Sequence, residues 1–223
     1  MTIATPRLNR LPATESGITI GDFLVPIRVG ERMSSRARHV AMILAGAALI
    51  YLTAQFSIEL PDNPVPVTGQ TLGVLLVGGA LGSRRGFLAT LLYLAIGVIG
   101  YPAFALHKGG IGVIATVSDG HVVLGATGGF LIGFVLAALL VGKLAELGWD
   151  RHVAGALGAM LLGNVVIYVV GLPWLMAAAH FSPADTIAKG LTPFLVGDAI
   201  KLALAAGLFP FAWWLVGRRP GER

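Results

Sequence analysis

The amino-acid sequence predicts an all-α integral membrane protein, a bundle of six transmembrane helices with both ends on the cytoplasmic side. Of the 223 residues, 56% are hydrophobic and only 12% charged, against about 45–50% and about 25% in soluble domains. The apolar residues fall into runs separated by proline-rich or basic breaks. Finally, thirteen of the sixteen Lys and Arg fall on the side of the ends, with only Lys108 and Lys189 opposite and Lys201 inside a span. The excess of positive charge marks the cytoplasmic side.

The elements follow from length, since about 20 residues rising 1.5 Å each cross the hydrocarbon core. Residues 1–38 hold six arginines and lack a continuous apolar core, which reads as a basic cytoplasmic extension rather than a targeting segment. Its patch "TIGDFLVPI" predicts either a brief surface helix or disorder. The membrane domain is expected over 39–217, with 218–223 as a cytoplasmic tail. Its first span is 39–58. "ELPDNPVPVTGQ" follows, and its prolines exclude a helix and demand a structured loop. Short second and third helices are expected at 70–81 and 86–100, separated by a basic turn of Ser83, Arg84 and Arg85. A mixed segment, 101–120, precedes the fourth, fifth and sixth spans at 121–142, 153–172 and 194–216. Trp213 and Trp214 suit an aromatic anchor at the inner interface.

Small residues recur at spacing four: Ala37, Ala41 and Ala45; Gly125, Gly129, Gly133 and Ala137; Gly155, Ala159 and Gly163. Such rows let helix backbones approach within lipid. The first row suits either internal packing or the reception of another protein.

Several function classes are excluded. The chain has no cysteine, and its five histidines are scattered, so neither a disulfide framework nor a metal site is expected. The positive charge follows membrane topology and forms no stripe for nucleic acid. "GGALGSRRG" lacks the Gly-Lys-Ser/Thr ending of a phosphate loop. No nucleophile stands with a base, so no enzyme is expected, and no cofactor. An ion pump usually carries several intramembrane carboxylates, and here the spans hold one, Asp198.

Asp198 and Lys201 are three apart and share a helix face. They lie roughly 6 and 10 Å inward from Phe194 by helix rise, where each charge costs about 2.5 to 3.5 kcal/mol unless it faces protein or water. The pair is therefore a self-neutralising helix orienter, a lysine that snorkels outward, or the polar anchor of a small-ligand pocket.

"PVPVTGQTLGVLLVGGALGSRRG", "YLAIGVIGYPAF", "LGATGGFLIGF", "IYVVGLPWL" and "TPFLVGDAIKLALA", in that order, resemble the BioY family, the biotin-specific substrate-binding (S) components of energy-coupling-factor (ECF) transporters. The resemblance covers most of 41–208. It implies a six-helix S component that captures biotin outside, with an associated ECF transmembrane coupling protein and ABC-type ATPases driving release inward at the bacterial cell membrane. Ala41 and Ala45 resemble the family's Ala-x-x-x-Ala contact with the coupling protein, and Asp198 and Lys201 its ligand-contacting pair. One helical turn does not hold both ends of biotin. Both residues are therefore expected on the ureido head, with the carboxylate on Lys108 or on amides near Gly109 and Gly110.

Other positions are candidates for substrate binding. Thr68 and Gln70 either cover the pocket or cap a helix. Asn164 and Tyr168 share a face of the fifth helix, for ligand or for interhelical bonding. Phe104 and Trp174 suit an apolar wall, or interfacial anchoring. "VIATVSDGHVV" is longer than the family pattern suggests and leaves Asp119 and His121 as rim residues without a role. Rival readings on the same scaffold are an S component for thiamine or riboflavin, a self-sufficient proton-coupled transporter, and a structural membrane scaffold.

Overall fold

The computed structural model describes residues 19–24 and 34–217, and most of the 1–38 extension and the 218–223 tail lie outside them. The described chain is mainly helical. A four-residue helix, α1 (Gly21–Leu24), precedes α2 (Ser35–Gln55), whose start is fixed by Ser34 Oγ accepting from the Ala37 amide at 3.2 Å. Two short strands, β1 (Ser57–Ile58) and β2 (Val67–Thr68), pair antiparallel and close the base of the proline-rich loop. Asn63 ties that loop across the bundle, its Nδ2 donating to the Lys189 carbonyl at 2.8 Å and its Oδ1 accepting from the Val65 amide.

Helices α3 (Gln70–Leu81) and α4 (Ser83–Ile99) are joined by one residue, Gly82, at φ 82°. The expected basic turn is thus displaced: Ser83, Arg84 and Arg85 form the first turn of α4. Glycine is required at the joint because its φ is left-handed and an added Cβ would press on Glu146 and Thr19. Glu146 Oε1 accepts from the amide and hydroxyl of Ser83 at 2.8 and 2.7 Å, satisfying donors at the start of α4.

The largest departure is at 113–127. The fourth span was expected from 121, but α5 begins at Gly128 and runs to Glu146. Before it stands a hairpin, β3 (Ala115–Ser118) against β4 (His121–Leu124), with Asp119 and Gly120 at φ 51° and 78°. Two positive φ values at an Asp-Gly pair fit the two-residue turn that matches strand twist, and the β-branched residues on either side prefer extended backbone. Gly125 accordingly lies outside the helix.

Helix α6 (Val153–Ala179) extends seven residues past its expected end, through Pro173, and stops at His180 in left-handed geometry. An unexpected helix follows, α7 (Pro183–Gly190), with Ser182 as its cap and Pro183 in its first turn. Helix α8 (Leu195–Gly217) completes the bundle. Among the described residues, four helical stretches are long and apolar enough to cross a membrane: α2, α5, α6 and 183–216. Helix α3, at 12 residues, is apolar but short of a full crossing.

Small residues place the core. A Cβ on Gly133 would stand 3.0 Å from Ile167 Cα, so glycine is what lets α5 and α6 touch backbone to backbone. Gly163 similarly makes room for Leu75 and Val141. Trp213 donates through Nε1 to the buried Asp150 at 2.7 Å.

The patch at 19–24 folds onto the bundle. Ile20 is buried, and Arg85 grips Asp22 with Nη1–Oδ1 at 2.7 Å and Nη2–Oδ2 at 3.1 Å. Burial alone would raise the Asp22 carboxyl, but Arg85 and the Thr19 amide outweigh it and hold the group below its ordinary range. A depressed folded value stabilises fully above the unfolded carboxyl's titration and is lost as pH falls through the folded one. Acidification below about pH 4 is therefore expected to lower the unfolding midpoint in detergent. Asp22→Asn should cost about 1 kcal/mol at neutral pH, since the pair is partly solvated, and should flatten that part of the pH dependence.

Candidate functional site

A cavity of about 230 Å³ opens among the proline-rich loop and helices α3, α5, α6 and α8. Its polar side is built from three helices. The first turns of α8 project Asp198 and Lys201 inward, α6 contributes Tyr168, and the first turn of α3 contributes Gln70 and Thr71. Asp198 is only 4% exposed. Lys201 Nζ donates to its Oδ1 at 3.1 Å, and the Tyr168 hydroxyl donates to its Oδ2. Lys201 also donates to Thr71 Oγ1 at 2.9 Å.

These bonds leave capacity for a ligand. An ammonium has three donors and Lys201 spends two within the protein; each carboxylate oxygen has a second acceptor site. Gln70 is buried, its Nε2 donating to Tyr93, whose hydroxyl donates in turn to the Ala103 carbonyl at 3.1 Å. Thr68 Oγ1 accepts from the Gln70 amide at 3.3 Å and donates to its Oε1 at 3.1 Å, so Gln70 is fixed rather than solvated.

The remaining wall is apolar. Phe104, Phe130, Phe134 and Phe194 line it, with Pro64 and Pro66 from the loop. Lys108 also lines the cavity and is itself exposed, which puts a cation at the mouth. An aromatic hollow with a few convergent polar groups is the ordinary form of a small-molecule site. Among the described residues, no His, Cys, Asp and Glu group is disposed to hold a metal ion.

Of the nine residues that the sequence nominates for binding, seven line this cavity: Thr68, Gln70, Phe104, Lys108, Tyr168, Asp198 and Lys201. Asn164 and Trp174 do not. Asn164 lies one turn, about 6 Å, along α6 from Tyr168; it is buried, and its Oδ1 has no hydrogen-bond partner among the described residues. Trp174 donates to the Gly125 carbonyl at 2.9 Å and so clasps the loop before α5. Thr71 and the three phenylalanines beyond Phe104 were not foreseen. Thr71 carries a readable signal, the residue after Gln70 in the same first turn. The phenylalanines carry none, because every helix here is rich in apolar residues.

The family model of BioY matches residues 29–218. The chain is also 35% identical over 170 residues to the probable biotin transporter BioY of Pyrococcus horikoshii, an alignment covering 76% of this chain and 93% of that one. The chain belongs to the BioY family. A second BioY relative, the biotin transporter of Rhodobacter capsulatus, is 36% identical over 180 residues, covering 75% of this chain and 88% of its own. The crystal structure of the S-component for biotin from an ECF-type ABC transporter has the same fold: TM-score 0.71 at 24% identity, over 82% of this chain and 95% of that one. With its several apolar helices, this BioY-family chain is a multi-pass membrane protein in a family of transporters rather than enzymes.

The buried pair gives a stability test. Lys201→Met leaves the Asp198 carboxylate uncompensated and is expected to cost about 3 kcal/mol, while Asp198→Asn with Lys201→Met should recover most of it. Thermal unfolding of the three variants and the unchanged protein in one detergent measures the cycle.

Proposed function

We propose that the chain captures biotin from the outer face of the bacterial inner membrane and carries it inward. The observation that supports this reading best is the chemistry of the cavity. A ureido ring offers two N–H donors and one carbonyl acceptor, and the site holds a carboxylate with spare acceptor positions beside an ammonium with a spare donor. Asp198 accepts from the ring N–H groups and Lys201 donates to its carbonyl. The phenylalanine wall takes the thiophene ring and the aliphatic tail, and Lys108 at the mouth meets the carboxylate.

In this reading α2, α3, α4, α5, α6 and α8 are the six crossings, both ends are cytoplasmic, and residues 1–38 form the basic extension. Energy comes from an ECF transmembrane coupling protein, docked at Ala41 and Ala45, and its ABC-type ATPases. Both alanines are exposed on α2, which is compatible with such a contact.

Saturable binding of labelled biotin to the purified protein tests the ligand, with unlabelled biotin competing and thiamine and riboflavin not. Asp198→Ala removes two hydrogen bonds to a charged acceptor, and about 100-fold weaker binding is expected. Unchanged affinity in that variant removes the assignment. Lys108→Ala removes one exposed charge and should cost about tenfold or less. Uptake that persists without any coupling ATPase and collapses with an uncoupler would point to proton coupling instead.

A further inference from the structure

The proline-rich loop, residues 59–66, is fastened at two places. At its base β1 pairs with β2, and the Gly69 amide donates to the Phe56 carbonyl at 2.8 Å. At its tip Asn63 Nδ2 donates to the Lys189 carbonyl at 2.8 Å, 126 residues away along the chain. Among the described residues this is the one hydrogen bond that 59–66 makes beyond the loop and its base.

The acceptor is firmly held. Lys189 stands in the last turn of α7, where carbonyls have no partner within the helix. The next residue, Gly190, is seated so closely that an added Cβ would stand 2.7 Å from Leu175 and 2.8 Å from Leu172. From there the chain runs through Phe194, which lines the cavity, to Asp198. The loop gives Pro64, Val65 and Pro66 to the same cavity. Asn63 therefore joins the loop to the connection that delivers the charged pair, and it does not itself line the cavity.

A bond that joins two walls without touching the ligand restrains opening of the empty and the loaded protein alike. We propose that Asn63 is a positioning residue, a latch whose bond to α7 sets how often the loop lifts and so how fast the ligand enters and leaves. The inference rests on the reading that the cavity takes biotin. It has a distinct kinetic signature. Weakening a bond present in both closed forms raises association and release by the same factor and leaves Kd in place. Loss of a ligand contact raises release alone. One net hydrogen bond corresponds to about fivefold.

Asn63→Asp isolates the latch. It keeps an acceptor for the Val65 amide, bonded at 3.0 Å, and loses the donor to Lys189. With labelled biotin and the full-length protein in detergent, association and release are each expected about fivefold faster, with Kd changed by less than about twofold. Asn63→Ala should be at least as fast. A second readout needs no ligand. The chain has no cysteine and Val65 is buried, so Val65→Cys reports opening. A membrane-impermeant maleimide should label it about fivefold faster when Asn63→Asp is added. Faster release without faster association overturns the latch, and so does labelling that Asn63→Asp leaves unchanged. If the unchanged protein binds no biotin, the ligand reading falls and the labelling ratio alone decides the latch.

Discussion

Everything at the site depends on one acid placed where lipid would not tolerate it. Asp198 is buried, and both of its carboxylate oxygens are occupied, by Lys201 from its own helix and by Tyr168 from α6. Lys201 reaches in turn to Thr71 on α3. Three helices are therefore locked in rotation by one ionic cluster. A turn of α8 by a single residue would swing its charges by about 100° toward acyl chains, at a cost of several kcal/mol. The hydrophobic effect cannot supply such an instruction between helices, because lipid tails are as apolar as leucine. Polar groups that fix the faces also leave donors and acceptors directed into the cavity, so orientation and recognition share the same atoms.

The proline-rich loop provides the other half of the enclosure. Its prolines deny it a helix, and a two-strand ladder with Asn63 holds it in place, so Pro64, Val65 and Pro66 close over the cavity. Gln70 and Tyr93 continue the restraint into α4, where Phe104 packs edge-on against Tyr93 with ring centroids 5.7 Å apart. The aromatic wall is thus anchored to hydrogen-bonded residues rather than free to collapse into the hollow.

How much of this was legible depends on the kind of signal. The apolar runs locate α2, α3, α4 and α8 within a few residues, and the start of α6, because membrane crossing imposes a length that composition alone reveals. Runs do not mark ends within apolar sequence: α6 passes through Pro173, as membrane-spanning helices tolerate. The hairpin at 115–124 was hidden by the same weakness, although Asp119-Gly120 between β-branched residues was a local turn signal that hydropathy overrode. Helix α7 had a readable cap in Ser182-Pro183. At the site, charged and polar residues stood out because lipid makes them rare. Phe130, Phe134 and Phe194 did not, since a phenylalanine in a span says nothing about which side it faces.

Helices α3 and α8 line the cavity at one end and, with α2, an apolar groove at the other. Helix α3 gives Gln70 and Thr71 to the cavity and Leu76 to Leu81 to the groove; α8 gives Asp198 and Lys201 to the one and Leu208 to Leu215 to the other. At the groove the two rods are pinned where Phe209 lies against Gly79, a contact that any added Cβ would obstruct. Pro210 follows directly, so α8 lacks one backbone hydrogen bond at this pin. A ligand shifts a conformational balance only by its differential affinity for the two states. Any movement of α8 along α3 would have to repack the Phe209 contact, beside the backbone that Pro210 leaves one hydrogen bond short.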